Sequence, residues 1–390
     1  MWAPSDGLSI VDASLRPTSF VRDQTLRSVL TPHLAGDRVR VHLTNRYSAG
    51  PMVVGTVSIA EQGVGASLAT EPTGLTFGGA TTVTIPPGMD VVSDPVELEL
   101  RSFQPVLVTT YLPDATTFPT GHWTANDTTY YTPPNSGDRS DDLTGDAFTL
   151  NTTMGVLASG LDVMATGETS AVVAYGDSIT DGFLAGGPIS VPQSAAEVGT
   201  DLRYTDFLQR RVDSSGRSLS VVNSGVSGSK LTADSLAPPT GRSGLSRLDE
   251  DAIAVAGVSD VILQQGINDL GIPPWATYDE LVGAYVTAID RLQTAGIRVH
   301  QGTLLPASNA IPDGVTAPFA NATRLRLNEW IRHSSPADTI VDFDAALRDP
   351  SNTDILDARY AGVDNLHPNA AGYARMAEVV DLAVLGNDGC

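Results

Sequence analysis

SAVVAYGDSITDG, Ser170 to Gly182, is the stretch on which the reading of the fold turns. Its first six residues form a short apolar run rich in β-branched valine, as a buried strand requires. GDSITDG (Gly176 to Gly182) then places a serine at the carboxyl end of that strand and near a helix start, where free backbone N–H groups face developing negative charge. Gly-Asp-Ser is also ordinary turn chemistry, so the motif gains meaning only from the segments around it.

Downstream, short apolar runs keep alternating with longer amphipathic ones. TDFLQRRVDS, SRLDEDAIAVAG, YDELVGAYVTAIDRLQTAG, NATRLRLNEWIRH and NAAGYARMAEVVDLAVLG read as helices. LSVVN, DVILQQ, IRVHQGTLL and TIVDFD read as strands. This alternation predicts an α/β class with a parallel sheet and helices on both faces, where reactive groups collect at the carboxyl ends of the strands. Upstream the texture differs. RVRVHLTN (Arg38 to Asn45), VVGTVSIA (Val53 to Ala60), TTVTIPP (Thr81 to Pro87), PVELEL (Pro95 to Leu100) and PVLVTTYL (Pro105 to Leu112) alternate with period two between Gly, Pro and Asp. They predict an antiparallel β-sandwich, jelly-roll-like, with no helix of useful length. The two textures meet near residue 165, which gives domains 1–165 and 166–390, and 390 residues exceed the usual size of one core. The loop TPPNSGDRSDDLTG (Thr132 to Gly145) is polar and is expected to be mobile.

Composition narrows the function. A formal net charge of −22 and a pI near 4.4 repel nucleic acid and anionic lipid surfaces, so no nucleic-acid partner is expected. No run reaches the roughly 18 to 20 apolar residues of a membrane span, and MWAPSDG lacks the layout of a signal peptide, so both a secreted and a cytoplasmic location stay open. Oligomeric state is equally open. Lys230 is the only lysine among 23 basic residues, and aspartate outnumbers glutamate; a GC-rich genome or a saline habitat produces such a bias. The one cysteine, Cys390, excludes an internal disulfide and a cysteine metal cage. The aspartates around Asp138 to Asp146 and Asp349 to Asp357 lack the spacing and closing glutamate of a calcium loop, so they read as solvated surface and no metal or cofactor is expected.

A serine nucleophile needs a base and a group that orients the base. His33, His42, His122, His300 and His333 sit in or beside predicted strands and helices and read as structural. His367 lies in the loop DNLHPNAAGYARMAE, three residues after Asp364, close enough for the carboxylate to meet one ring nitrogen while the other faces Ser178. Oxyanion donors have two sources in later loops. In NSGVSGS (Asn223 to Ser229), Gly228 lets its N–H approach substrate unobstructed, and in GINDLG (Gly266 to Gly271), Asn268 offers a side-chain N–H. Each segment alone is more often a turn than a site.

Together the four segments resemble the SGNH subgroup of the GDSL esterases and lipases. The resemblance implies Ser178 as nucleophile and oxyanion donor, Gly228 and Asn268 as further donors, and His367 with Asp364 as base and orienting acid. It spans Gly176 to Pro368 and departs only at Ile179, where leucine is usual. It also implies a flavodoxin-like three-layer α/β/α domain, some members having a β-sandwich ahead of it, and a metal-independent hydrolysis of small-molecule esters. Lipases, thioesterases, arylesterases and carbohydrate deacetylases all fall in the subgroup. The lack of a long apolar lid favours short acyl groups, with Trp275 and Tyr278 as candidate substrate-binding residues or as packing. A rival reading makes the first half a glycan-binding module, with GHWTANDTTYY (Gly121 to Tyr131) as its aromatic surface.

Overall fold

The computed structural model describes residues 1–7, 10–11, 17–18, 20–117, 119–165, 167–186, 197–234, 241–310 and 320–386. Cys390 lies outside them. The chain forms two compact units, Met1–Glu168 and Thr169–Cys390.

In the first unit, Val106–Leu112 pairs antiparallel with Gln24–Leu30 on one side and Val57–Glu61 on the other, inside a six-stranded sheet. A second sheet is built on Gly36–Thr44, which pairs with Asp90–Val92, Val96–Leu100 and Ala158–Met164. The alternating side chains of both sheets meet in one core: Leu26, Ile59 and Val108 from the first, Val39, Val41 and Leu43 from the second. No helix occurs among the described residues of this unit. VVGTVSIA is not one strand but two, Met52–Val54 and Val57–Glu61. The chain breaks at Gly55, where a Cβ would stand 2.9 Å from the Tyr111 ring.

The loop Thr132 to Gly145 is tied down rather than loose. Asn135 and Ser136 donate backbone N–H bonds to the carbonyls of Arg22 and Asp23, and Thr25 Oγ1 donates to Gly137 O at 3.0 Å. Fully buried Arg27 lies with its guanidinium 4.1 Å from the centre of the Phe148 ring and donates to the carbonyls of Ala66 and Asp142. Polar composition signalled a surface loop, but a buried cation that needs acceptors fixes its path. The aromatic cluster at Gly121 to Tyr131 is likewise drawn inward: His122 and Tyr131 are buried and Trp123 and Tyr130 half-buried.

The second unit carries five parallel strands, β1 (Ser170–Gly176), β2 (Leu219–Gly225), β3 (Val258–Gln264), β4 (Arg298–Gly302) and β5 (Thr339–Val341), in the order β2-β1-β3-β4-β5. That is the flavodoxin-like order, with its topological switch at β1. From Ala171 to Tyr175 the strand is apolar and buried because both its faces are covered. Val172 and Ala174 enter one core with Leu208 and Val212 of α2 (Tyr204–Ser215) and Met376 of α8 (Ala370–Val379). Val173 and Tyr175 enter the other with Leu281 and Ala288 of α5 (Tyr278–Thr294) and Leu327 of α6 (Ala320–Ser334). The result is the three-layer α/β/α domain.

Boundaries shift where a side chain caps early. TIVDFD stops being strand at Val341, because Asp342 accepts from Ala345 N and starts α7 (Phe343–Leu347). SRLDEDAIAVAG splits into α3 (Gly244–Leu248) and a π-turn, Asp249–Ile253. No described helix is long and apolar enough to cross a membrane.

The ends of β1 and β2 approach the segment after β1 so closely that a Cβ on Gly225 would fall 2.2 Å from Asp181 N, a backbone atom that cannot yield. Gly225→Ala is expected to lower stability by about 2–3 kcal/mol in urea unfolding. Gly283, exposed on α5 with nothing within 4 Å of its Cβ position, is expected to gain about 1 kcal/mol as Gly283→Ala.

Candidate active site

β1 ends at Gly176, where a Cβ would meet Gln264 O and Thr180 Oγ1, each at 2.2 Å. Asp177 leaves the strand in extended conformation and caps the four-residue α1 (Ser178–Asp181), accepting from Ile179 N at 3.1 Å. Ser178 is thus the first helical residue. Gly182, with φ of +86°, closes the turn at once.

His367 arrives from the loop before α8. Its carbonyl accepts from Gly362 N at 2.7 Å, and Asn369 caps α8 by accepting from Gly372 N. Its Nε2 lies 2.7 Å from Ser178 Oγ and its Nδ1 2.6 Å from Asp364 Oδ2. Asp364 Oδ1 accepts from the backbone N–H groups of Leu366 and His367, each at 3.0 Å. Burial alone would raise the Asp364 carboxyl, but the bond to the His367 ring, the charge there and the two backbone donors outweigh it and hold it at about 2. With this group ionised, Nδ1–H donates to Oδ2, which leaves Nε2 free to accept from the Ser178 hydroxyl. Phe183 packs its ring 4.6 Å from the imidazole; its N–H donates to Ser178 O, and its carbonyl accepts from Tyr373 Oη–H at 2.7 Å.

The two remaining motifs are bonded to each other and to α1. Asp181 Oδ2 accepts from Ser227 N and Ser227 Oγ, at 3.0 and 2.7 Å. Gly228 has φ of +76°, in a turn closed by Ser229 N donating to Val226 O at 3.0 Å. In α4 (Ile267–Gly271), Asn268 Nδ2 donates to Ser229 O at 3.0 Å; Gln265, between β3 and α4, donates from Nε2 to Ser229 Oγ at 2.8 Å. Asp269 accepts from Leu231 N, Thr232 N and Thr232 Oγ1. Its carboxyl is raised by burial, with those bonds and Lys230 pulling the other way.

Of the predicted substrate contacts, Trp275 stands 52% exposed in the loop after α4. Tyr278 instead begins α5, packs on the core and carries the Arg326 guanidinium 3.6 Å from its ring centre. The other histidines have partners elsewhere, such as His300 with Asp260 (2.8 Å) and Thr339 (2.6 Å). Asp349 bonds the backbone of its own turn. Among the described residues no group of three or more His, Cys, Asp or Glu could hold a metal ion.

Two residues at the site escaped the sequence reading. Arg247, fully buried, donates to Gly176 O and Ser224 O and so joins the ends of β1 and β2. Lys230 donates from Nζ to Pro274 O at 2.9 Å. A positive charge near two acidic motifs was visible in the sequence only as composition.

A parallel α/β sheet whose first strand delivers a serine into a Ser-His-Asp chain places this protein among enzymes built on doubly wound domains. The model of the GDSL-like lipase/acylhydrolase family matches residues 174–375, just over half of the 390, and the chain belongs to that family of esterase and lipase hydrolases. Similar solved structures include a lipase/acylhydrolase from Enterococcus faecalis (19% identity, 54% of this chain, 92% of that one, TM-score 0.40). An aryl esterase from M. smegmatis (16%, 53% and 94%, TM-score 0.43) and a carbohydrate acetylesterase from Sinorhizobium meliloti (15%, 53% and 94%, TM-score 0.41) are comparable. A search of curated proteins finds no match.

Asp177 generates a stability prediction. Burial pushes its carboxyl up to about 7, against the bond from Ile179 N. The unfolded chain releases this proton near the ordinary value of about 4 while the folded chain keeps it, so stability falls as pH rises from about 4 to about 7. Asp177→Asn preserves the capping oxygen and removes the titration. Its stability relative to the parent is expected to improve across that window, by a total on the order of 4 kcal/mol, in urea unfolding at pH 4, 5.5 and 8.

Proposed function

We propose that this protein is a serine esterase hydrolysing small carboxylic esters with short acyl groups, with catalysis in the second domain and the jelly-roll-like first domain, residues 1–165, as an accessory. The observation that carries the proposal is the unbroken chain from Ser178 Oγ through His367 to Asp364, with contacts of 2.7 and 2.6 Å. Those lengths are the ones proton transfer needs.

His367 Nε2 takes the hydroxyl proton as Ser178 Oγ bonds to the ester carbonyl carbon. Asp364 stays ionised and stabilises the imidazolium. The oxyanion is held by the N–H groups of Ser178 and Gly228 and by the Asn268 amide, one of whose N–H groups is anchored on Ser229 O so that the other is aimed. The intermediate collapses as His367 returns the proton to the leaving alcohol oxygen. Water then repeats the sequence on the acyl-enzyme and releases the acid. Trp275 offers an apolar wall to the acyl or alcohol group. No residue in this scheme needs a metal ion.

Ser178→Ala is expected to lower p-nitrophenyl acetate turnover by at least about four orders of magnitude with thermal unfolding unchanged; parental turnover would refute the assignment. Asn268→Ala is expected to lower kcat about 10²- to 10³-fold with KM little altered. Across an acyl-length panel, acetate and propionate esters should be turned over fastest. Preference for long acyl chains would make the enzyme a lipase, and preference for acetylated sugars, together with glycan binding by residues 1–165, a carbohydrate esterase. Activity should persist in excess chelator; its loss and return with calcium would show a metal requirement.

A further inference from the structure

The end of the sheet that holds Ser178 is crowded with buried acid. Asp177, Asp181, Asp269 and Asp364 are all buried there, on the segments that bear the serine, the Asn268 amide and the base. A tetrahedral oxyanion formed there is opposed by the field of those that are ionised, Asp364 above all, while burial pushes Asp177 and Asp269 toward the protonated form. Arg247 is paired with buried Asp251 at 3.3 Å and fixed on Gly176 O and Ser224 O. The charge of Lys230 opposes the rise that burial imposes on the Asp269 carboxyl.

Lys230 is the only lysine in a chain that otherwise uses arginine for positive charge, and it is only 3% exposed. It follows Gly228 by two residues, and its ammonium donates to Pro274 O, in the loop that leaves α4 six residues after Asn268. Its own backbone is locked: Ser229 O accepts from Asn268, Leu231 N donates to Asp269, and Lys230 O accepts from Gly244 N at 2.8 Å. The compact ammonium on its flexible stem suits a closed site in which a planar guanidinium fork would need more acceptors. Burying a charge on this segment costs free energy that packing alone does not explain, so the cation has an electrostatic task.

We propose that Lys230 is a positioning residue for ester hydrolysis: its ammonium, donating to Pro274 O, ties the Gly228 segment to the loop that follows Asn268, so that the oxyanion donors are held in register beside a buried positive charge. This rests on Ser178 acting as the nucleophile. Because an ester carbonyl is neutral in the ground state and anionic only after attack, Lys230 acts on kcat and leaves KM nearly unchanged.

The test uses Lys230→Met, which keeps the stem and removes the charge, and Lys230→Arg, which restores charge without the fit. Lys230→Met is expected to lower kcat for p-nitrophenyl acetate about tenfold or more with KM within about twofold, and Lys230→Arg to recover part of the loss. Phenylboronic acid supplies the readout that a purely structural role would not move. Ser178 Oγ adds to boron as its proton passes to His367, giving a tetrahedral anion. Its affinity is expected to fall in Lys230→Met by the same factor as kcat/KM. In parental protein carrying lysine labelled with carbon-13 at Cε, the single lysine resonance is expected to shift as the adduct forms. That arm decides the matter should Lys230→Met fail to fold. A Lys230→Met enzyme within twofold of the parent in kcat/KM would overturn the proposal. So would unchanged boronate affinity alongside lost activity, or a bound boronate that leaves the lysine resonance unmoved. Failure of the boronate to compete with substrate in the parental enzyme would refute the Ser178 reading itself, and the Lys230 role with it.

Discussion

The second domain depends on how closely its backbone segments approach one another at the carboxyl ends of β1, β2 and β3. Gly176 and Gly225 have no room for a β-carbon, because backbone atoms of the facing segments occupy that space. That proximity lets Asp181 bond Ser227 and lets Arg247 hold the carbonyls of Gly176 and Ser224 together. It also sets where a helix can start after β1, and hence where the serine stands. Side-chain chemistry at the site is therefore a consequence of backbone packing beneath it.

Much of this was open to reading from the sequence, for reasons that differ by element. β1 was plain because a strand covered on both faces must be apolar at every position, and Val172 to Tyr175 satisfy that on either side of the sheet. The Asp364 and His367 pair was plain because three residues of loop can join a carboxylate to an imidazole without help from the rest of the fold. Gly228 and Asn268 were visible as turn residues after strands, and the bond from Asn268 to Ser229 O is what joins them.

What stayed hidden was whatever a distant partner decides. TIVDFD reads as apolar strand to its end, and only the capping bond from Asp342 turns its last residues into α7. The loop from Thr132 to Gly145 has the composition of a loose surface segment, yet Arg27, more than a hundred residues earlier, draws it down onto the sheet through Asp142 O. Tyr278 carried the aromatic character of a binding residue, and its proximity to Arg326 and the core gives it a packing role. Arg247 and Lys230 belong to the same class, since the meaning of a buried cation lies in which carbonyls and carboxylates the topology gathers around it.

Phe183 joins elements made far apart in time as well as in sequence. Its N–H is held by Ser178 O, its carbonyl by Tyr373, and its ring lies on His367, 189 residues beyond the serine. A ribosome emits the serine long before it emits the imidazole or the helix that steadies Phe183. Across the 189 residues that separate them, the growing chain carries the serine hydroxyl without the imidazole that Phe183 later lies against.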